Sequence, residues 1–328
     1  MEQLSRRETE LSARRQLTAA LPPCRLCQHD PINECFTVRG HRLARCPQCD
    51  FLQVVDQPSA EELRAIYSET YFAPSKYADE ATLRAESDRR LNLLRQFVPP
   101  GKGKTVLDAG CATGHFISHA KHEYRFSGLE LSESAVMIAR QRNPELAGRI
   151  HVGSLDPLEW PEEQFDAICL WDVIEHMWDP LAVCRSLMAR LTPGGHLLLS
   201  TPAADAPIAR IMGRYWAFMT PPEHLSFFSR RSFDHLFRTA LGAKVRSWRR
   251  MGKRANVGFL MYKLRRIFPM LVPEAAIRLF RRPALSSWAV YVPTGDVLYG
   301  VVQKPASGEG TPLAGLTDGV LREGGGHQ

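Results

Sequence analysis

The sequence of 328 residues contains no apolar run of the ~18 residues that a membrane-spanning helix needs. Its first twenty residues carry several Arg and Glu side chains and lack the apolar stretch of a secretory leader. We therefore expect a cytoplasmic, thiol-reducing setting, in which the eight cysteines serve some purpose other than disulfide bonding. With 44% hydrophobic and 23% charged residues, the composition is that of a globular protein with room for about two domains.

The positive charge is concentrated in one segment. The formal net charge of +7 is compatible with a nucleic acid, a membrane surface or an acidic small molecule as partner. Residues 241–283 hold twelve Lys or Arg and a single acid, Glu274, so the rest of the chain is mildly acidic. Apolar residues such as Leu260, Leu264 and Ile267 recur there at helical spacing, with basic residues between them. A basic amphipathic insertion at 251–283 can face a membrane surface, or it can be a core-packed helix with a solvated basic side.

The cysteines near the N-terminus have the spacing of a metal site. Cys24-x-x-Cys27 and Cys46-x-x-Cys49 are separated by eighteen residues, which lies within the pattern of a tetrahedral zinc site. Four thiolates leave no position for a reactive water, so the Zn²⁺ is predicted to be structural. Cys35, His29 and His41 lie between the pairs as alternative ligands, although the paired spacing favours the four cysteines. Residues 24–50 carry little net charge, which disfavours nucleic-acid binding. We expect this segment to brace the neighbouring domain or to form a lid over the acceptor.

Short apolar strands alternate with helical stretches from residue 104 onward. This spacing predicts βαβ units and an α/β fold with a doubly wound, Rossmann-like parallel sheet, whose ligand site lies at the carboxyl ends of the strands. The predicted strands are 105–108, 126–130, 149–152, 165–171 and 195–200, and the predicted helices are 114–121, 132–142 and 180–190.

The turn after the first of these strands favours a ligand without phosphates. A dinucleotide-binding turn has a second and a third glycine, but here Ala112 and His115 occupy those positions. Such a turn lets a ligand approach the backbone and its free amide N–H groups. Asp108 is expected at the mouth of the site, where it would repel a pyrophosphate and attract a cation. Glu130, twenty residues beyond Gly110, can accept hydrogen bonds from both hydroxyls of a ribose. S-adenosylmethionine, a cationic nucleoside without phosphate, fits these features.

The sequence resembles the class I S-adenosylmethionine-dependent methyltransferases over roughly residues 85–305. The resemblance rests on Asp108-x-Gly110-x-x-x-Gly114, on Glu130, on the run from Leu170 to Pro180 and on Leu191-Thr-Pro-Gly-Gly-His-Leu197. It implies a seven-stranded sheet in which the glycine turn holds the methionine portion and Glu130 holds the ribose. It also implies that the adenine lies between the residues that end the third strand. The cofactor-binding residues implied in this way are Asp108, Gly110, Gly114, Glu130, Ser154, Leu155 and Trp171. Relatives commonly carry an aspartate where this chain has Ser154.

Two histidines are candidates for deprotonating the acceptor. Methyl transfer is an in-line displacement, so the protein has to align the acceptor with the methyl group and remove a proton. His176 follows Glu175 after the fourth strand, and His224 lies in a loop after the fifth. The segment around Glu223 and His224 resembles sugar C-methyltransferases that combine a zinc module with this fold and use an adjacent Glu-His for base chemistry. The resemblance implies that Tyr71 or Tyr77 of this chain assists, as tyrosines do in those enzymes. Those enzymes carry a further C-terminal domain, so sugar C-methylation is not carried over directly.

The predicted function is methyl transfer from S-adenosylmethionine to a small-molecule, sugar-derived or lipid-linked acceptor, at oxygen or carbon. Trp171-Asp172-Val173 differs from the Asn/Asp-Pro-Pro-aromatic motif of adenine N6-methyltransferases, which disfavours that reaction. An RNA methyltransferase and a non-catalytic S-adenosylmethionine-binding module remain as alternatives, with nucleic acid the less favoured partner. The predicted organisation is an arm (1–23), a zinc ribbon (24–55), a helical linker or lid (56–100), the methyltransferase domain (101–305) and a disordered tail (306–328).

Overall fold

The computed structural model describes residues 21–59, 61–62, 80–155, 157–160, 164–256, 261, 273 and 289–306. Two sheets organise this part of the chain. The strands are β1 (Asn33–Val38), β2 (His41–Arg45), β3 (Leu52–Val54), β4 (Thr105–Ala109), β5 (Arg125–Glu130), β6 (Ile150–Val152), β7 (Phe165–Trp171), β8 (Leu191–Pro202), β9 (Ser226–Phe227), β10 (Lys244–Asn256) and β11 (Ala289–Gln303).

The larger sheet has seven strands in the order β10-β11-β8-β7-β4-β5-β6. β4 to β8 run parallel to one another, whereas β11 pairs antiparallel with both β8 and β10. This arrangement confirms the predicted doubly wound sheet and matches the class I methyltransferase fold. The order of the parallel strands reverses between β4 and β7, so the carboxyl ends of these two strands flank the expected ligand crevice.

Helices cover the faces of the larger sheet. Six α-helices lie in the described ranges: α1 (Glu80–Phe97), α2 (His115–Ala120), α3 (Glu133–Arg142), α4 (Pro180–Ala189), α5 (Pro207–Met212) and α6 (Arg230–Asp234). Side-chain caps begin three of them: Ser132 accepts the N–H of Ala135, Asp179 that of Ala182 and Ser229 that of Ser232. α1 buries Leu91 and Leu94 in the same apolar cluster as α2, so the second half of the predicted linker packs against the sheet.

Most predicted elements agree with the structure to within one or two residues, but β8 does not. It begins at Leu191, before the Thr-Pro-Gly-Gly sequence that has the composition of a turn, and continues to Pro202. Leu191 pairs with Phe165, and the pairing between β7 and β8 then shifts in register before Ala167 pairs with His196. The turn-like residues are therefore accommodated as an irregularity within one strand.

The cysteine-rich module is completed by a strand from the methyltransferase domain. Its sheet has the order β1-β2-β3-β9, and β9 follows the fifth parallel strand of the larger sheet. Buried module residues such as Leu26, Leu43 and Phe51 belong to the same apolar cluster as Leu199 and Phe228. The module thus shares its core with the larger unit.

Several predicted features lie wholly or largely outside the described residues. These are the arm up to residue 20, Tyr71 and Tyr77, most of the insertion and the tail beyond residue 306. Residues 251–256 of the insertion form the end of β10. None of the described helices is long and apolar enough to span a membrane.

Candidate functional site

The glycine turn after β4 packs closely against the loop after β7. Gly110 has a φ of 85° and Gly114 a φ of 72°, which are left-handed conformations that favour glycine. A Cβ on Gly110 would lie 2.5 Å from Cγ2 of Val173, so only glycine fits this close approach between two loops. The expectation of free amide groups is wrong for much of the turn. The N–H groups of Gly110 and Cys111 donate to the carbonyl of Leu129, and that of Gly114 donates to Cys111.

Glu130 lies at the end of β5 and braces the turn. One carboxylate oxygen accepts the N–H of Ala112 at 3.0 Å, and the other accepts the N–H of Ser132 at 3.0 Å. Burial raises the pKa of Glu130, while these two backbone donors act in the opposite direction. Each oxygen has a further lone pair for a hydroxyl group.

Asp108 lies beneath the glycine turn, and Arg90, of opposite charge, lies beside it. Asp108 is buried, with 2% of its surface exposed, so the expectation that it lies at the mouth is wrong. Burial raises the pKa of Asp108 to about 7, and the positive charge of Arg90 counteracts this rise. Arg90, on α1, pairs with Asp172 at the end of β7 and lies 5.4 Å from the centre of the Trp171 ring. No sequence motif marks Arg90, because its position depends on how α1 packs.

Trp171 is the last residue of β7, at the edge of the sheet where the ligand crevice is expected. It packs edge-on against Phe116 at 5.6 Å and contacts Tyr299 at 6.3 Å. Its indole N–H is buried and has no hydrogen-bond partner among the described residues. An unpaired buried donor of this kind is costly unless a ligand or water satisfies it.

Ser154 and Leu155 follow β6 at the same edge of the sheet. The N–H of Ser154 donates to the carboxylate of Glu159 at 2.8 Å, and Leu155 is 9% exposed. The preceding Gly153 donates its N–H to the carbonyl of Glu130. This link places the predicted adenine contacts next to the predicted ribose contact.

The structure brings His176 and His224 together. His176 ends a short 3₁₀ turn, Ile174–His176, and its ring centre lies 4.9 Å from that of His224. Nδ1 of His176 bonds to the carbonyl of Glu223, and Nδ1 of His224 bonds to the carbonyl of Phe218, both at 2.7 Å. Because a carbonyl only accepts, both Nδ1 atoms carry the proton, and Nε2 of neutral His224 is an acceptor. Glu223 contacts this pair through its backbone carbonyl.

Burial keeps the two imidazoles neutral. Burial, followed by the neighbouring His176, lowers the pKa of His224 to about 3, and burial also lowers the pKa of His176. Glu175 is buried beside the pair and accepts the hydroxyl of Thr201 at 2.9 Å. Burial, with a further contribution from the charge of Asp172, raises the pKa of Glu175 well above its ordinary value. Glu175 is therefore held in its protonated form beside the pair, while the charges of Glu223 and Asp172 act to raise the pKa of His176 against the effect of burial.

The four predicted cysteines form one group. Cys24 and Cys49 have their Sγ atoms 3.6 Å apart, and those of Cys27 and Cys46 are 3.5 Å apart. All four lie within 4.8 Å of one another, close to the ~3.8 Å edges that follow from Zn–S bonds of about 2.3 Å. The residue after each pair, Gln28 or Asp50, has a left-handed φ and donates its N–H to the first cysteine's carbonyl. The two knuckles thus have the same geometry and could hold a structural zinc ion.

Arg25 connects this module to the histidine loop. Its guanidinium donates to the carbonyls of Val54 at 2.8 Å and Leu225 at 2.9 Å, and it stacks on Trp178 at 3.7 Å. The N–H of Val54 also donates to Leu225, whose own N–H donates to the carbonyl of Glu175. The module is therefore bonded directly to the residue that follows His224.

Comparison with known proteins places the larger unit in a family. The strand order and the crevice define a class I methyltransferase fold. A sequence model described as "Methyltransferase domain" matches residues 82–247, and the chain belongs to this family. S-adenosylmethionine is the cofactor of these methyltransferases. The buried Trp171 donor and the remaining lone pairs of Glu130 fit such a group.

The individual relatives cover only part of the chain. A ubiquinone biosynthesis O-methyltransferase from Bordetella bronchiseptica is 28% identical over 151 residues, which are 45% of this chain and 61% of that protein. One with the same name from Xanthomonas oryzae pv. oryzae is 30% identical over 185 residues, covering 50% of this chain and 77% of that protein. The chain thus spans about three fifths of the length of the Bordetella relative.

Solved structures support the fold. The cyclase SpnF aligns with a TM-score of 0.50 at 17% identity, covering 76% of this chain and 98% of its own. The YcgJ protein from Bacillus subtilis aligns with a TM-score of 0.50 at 16% identity, covering 67% of this chain and 100% of its own. Because one of these proteins is named a cyclase, the reaction of this chain has to be argued from its own residues.

Proposed function

We infer that the protein transfers a methyl group from S-adenosylmethionine to an oxygen or carbon atom of a small-molecule or lipid-linked acceptor. One observation carries this proposal. The carboxyl ends of parallel strands lie at one edge of a sheet, and that edge holds the glycine turn, Glu130 and the His176–His224 pair. A cofactor cradle and a proton acceptor at the same edge are the two components that methyl transfer needs.

On the cofactor side, each residue has a distinct role. Glu130 binds the two ribose hydroxyls with the oxygens that also fix the turn. The glycine turn holds the methionine portion, and the guanidinium of Arg90 attracts its carboxylate. Ser154 and Leu155 flank the adenine, and the indole N–H of Trp171 finds an acceptor on the ligand. When bound, S-adenosylmethionine supplies the electrophilic methyl group.

On the acceptor side, the histidines orient and deprotonate. The carbonyl of Phe218 fixes His224 as the Nδ1–H tautomer, so Nε2 faces the reaction as a hydrogen-bond acceptor. A hydroxyl that donates to this atom is held in line with the methyl group. As the new C–O bond forms, the oxygen becomes acidic enough to give its proton even to a base whose pKa is about 3. The O-methyltransferase relatives favour oxygen as the acceptor atom.

The decisive experiment identifies the acceptor pool. Purified protein is incubated with methyl-labelled S-adenosylmethionine and a cell extract, and label is counted in the lipid, carbohydrate, small-molecule, RNA and protein fractions. We expect label in a lipid or small-molecule fraction. Label in RNA alone, or in no fraction while the cofactor binds, would replace the proposal with an RNA methyltransferase or a non-catalytic module, respectively.

Variants of His224 test the acceptor side. His224→Ala is expected to reduce turnover at least 100-fold, a typical contribution of general base catalysis, while cofactor affinity changes less than threefold. The exposed His122→Ala is the matched control and should behave like wild type. Unchanged turnover in His224→Ala would rule out the assignment of this base.

The basic insertion at 251–283 remains a proposed contact with an anionic acceptor or with a membrane surface. Co-sedimentation with anionic liposomes at low salt tests the membrane version. Absence of binding would remove it without affecting the catalytic proposal.

A further inference from the structure

A second cavity lies where the cysteine-rich module meets the methyltransferase sheet. It is a cleft of about 780 Å³ between Gln48 and Asp50 of the module and residues of α5, α6 and the π-helical turn His235–Ala240. Arg210, Arg231 and Arg238 line it from the methyltransferase side. None of these residues belongs to the crevice that contains Glu130 and Trp171.

The charges in this cleft leave an excess of arginine. Each aspartate that lines it already has an arginine partner: Asp234 pairs with Arg230 and Arg238, Asp205 with Arg250, and Asp50 with Arg45. Arg210 and Arg231 have no acidic partner among the described residues, and both are exposed. The cleft is thus positively charged, and two guanidinium groups are available for a ligand.

An apolar cavity adjoins the arginine-lined cleft. Its volume is about 320 Å³, and it shares Asp50 and Arg210 with the larger cleft. Leu52, Trp216 and Met219 are among its walls. The combined space suits a ligand that has an anionic group at one end and a less polar body at the other.

An aromatic layer separates this space from the proposed methyl-transfer centre. Trp216 forms one wall of the apolar cavity and packs on Phe218, with ring centres 5.4 Å apart. Phe218 also stacks on the ring of His224, with ring centres 6.2 Å apart. Trp216 and Phe218 therefore link the cavity wall to the histidine pair, and no residue of the glycine turn lines the cavity.

We propose that this cleft is a binding site for a phosphate-bearing ligand, whose less polar part occupies the adjoining cavity. Guanidinium groups bind phosphate with two parallel N–H···O bonds each, and the positive field of the cleft favours a multiply charged anion over a single carboxylate. The fixed ion pairs around it hold the walls in place, so little reorganisation accompanies binding. The site is separate from the cofactor crevice, and the proposal does not depend on methyl transfer.

Calorimetric titration with inorganic pyrophosphate at constant ionic strength tests the site. Wild-type protein should bind it with one-to-one stoichiometry, and Arg210→Gln/Arg231→Gln should weaken binding at least tenfold. The double variant Arg185→Gln/Lys102→Gln removes the same charge from exposed positions elsewhere and should retain binding. S-adenosylhomocysteine should bind all three proteins equally and should not displace pyrophosphate.

Two further titrants identify the body of the ligand. Tighter binding of uridine diphosphate than of pyrophosphate indicates a nucleotide, and tighter binding of geranyl diphosphate indicates a lipid. No binding of pyrophosphate to the wild type, equal weakening in both double variants, or displacement by S-adenosylhomocysteine would each overturn the proposal. Because no methyl transfer is measured, a protein that binds pyrophosphate but labels no acceptor supports this site and contradicts only the proposed function.

Discussion

Replacing Glu130 tests the cofactor crevice directly. Each of its oxygens accepts one backbone N–H and has one remaining lone pair for a ribose hydroxyl. A hydrogen bond to a charged group contributes about 1.5–3 kcal/mol, so losing two costs about 3 kcal/mol at the lower bound. We therefore expect Glu130→Ala to raise the Kd of S-adenosylhomocysteine by about 100-fold. Calorimetry without acceptor isolates this step from the chemistry.

Two controls separate ribose binding from disruption of the turn. Glu130→Gln keeps the size of the side chain and one acceptor oxygen, and its Kd is expected to fall between those of wild type and Glu130→Ala. Glu133→Ala removes a nearby exposed carboxylate on α3 and should bind like wild type. A Kd for Glu130→Ala within threefold of wild type, in a folded protein, would refute the assignment of this crevice to the cofactor.

Two predictions concern the histidine pair. Arg25→Met keeps the aliphatic packing but loses the hydrogen bonds from the charged guanidinium to Val54 and Leu225, which costs about 3 kcal/mol at the lower bound. We expect kcat to fall at least tenfold while S-adenosylhomocysteine affinity stays within threefold. Chelation of zinc should likewise lower kcat and leave cofactor affinity unchanged. A parallel loss of cofactor affinity would show that the module supports the whole sheet rather than this loop. Because the pKa of His224 is lowered to about 3, it stays deprotonated as the pH falls from 8 to 5, so kcat at saturating cofactor should show no loss with an apparent pKa near 6.5. Such a loss in a pH–rate profile would contradict the buried, neutral imidazole.

The sequence predicts those parts of the site whose geometry is determined by residues close together in the chain. The turn at Gly110 follows a buried strand directly. Each Cys-x-x-Cys pair places its two metal ligands within a segment of four residues. The sequence marks His176 and His224 only as separate candidates, in loops after the fourth and fifth parallel strands; their proximity is shown by the structure. These predictions need only periodicity, spacing and the handedness of βαβ units.

What the sequence does not predict depends on how distant segments pack. Arg90 reaches Asp172 because α1 lies against the sheet, and no spacing in the sequence indicates this. β9 has only two residues, so its sequence shows no periodicity. Its partner β3 lies far earlier in the chain, with most of the methyltransferase domain between them. Asp108 was expected at the mouth because it precedes the turn, yet the loops above β4 bury it.

The pairing of β3 with β9 has a consequence for how the protein is made. The first three strands of the module leave the ribosome early, whereas β9 is synthesised in the second half of the chain. Until then the edge of β3 presents unpaired backbone groups, which are a template for aggregation. Contacts between such distant segments form slowly, since the loop between them must close first. The loop that carries His224 therefore reaches its final geometry late in folding, after both the cysteine module and the parallel strands exist.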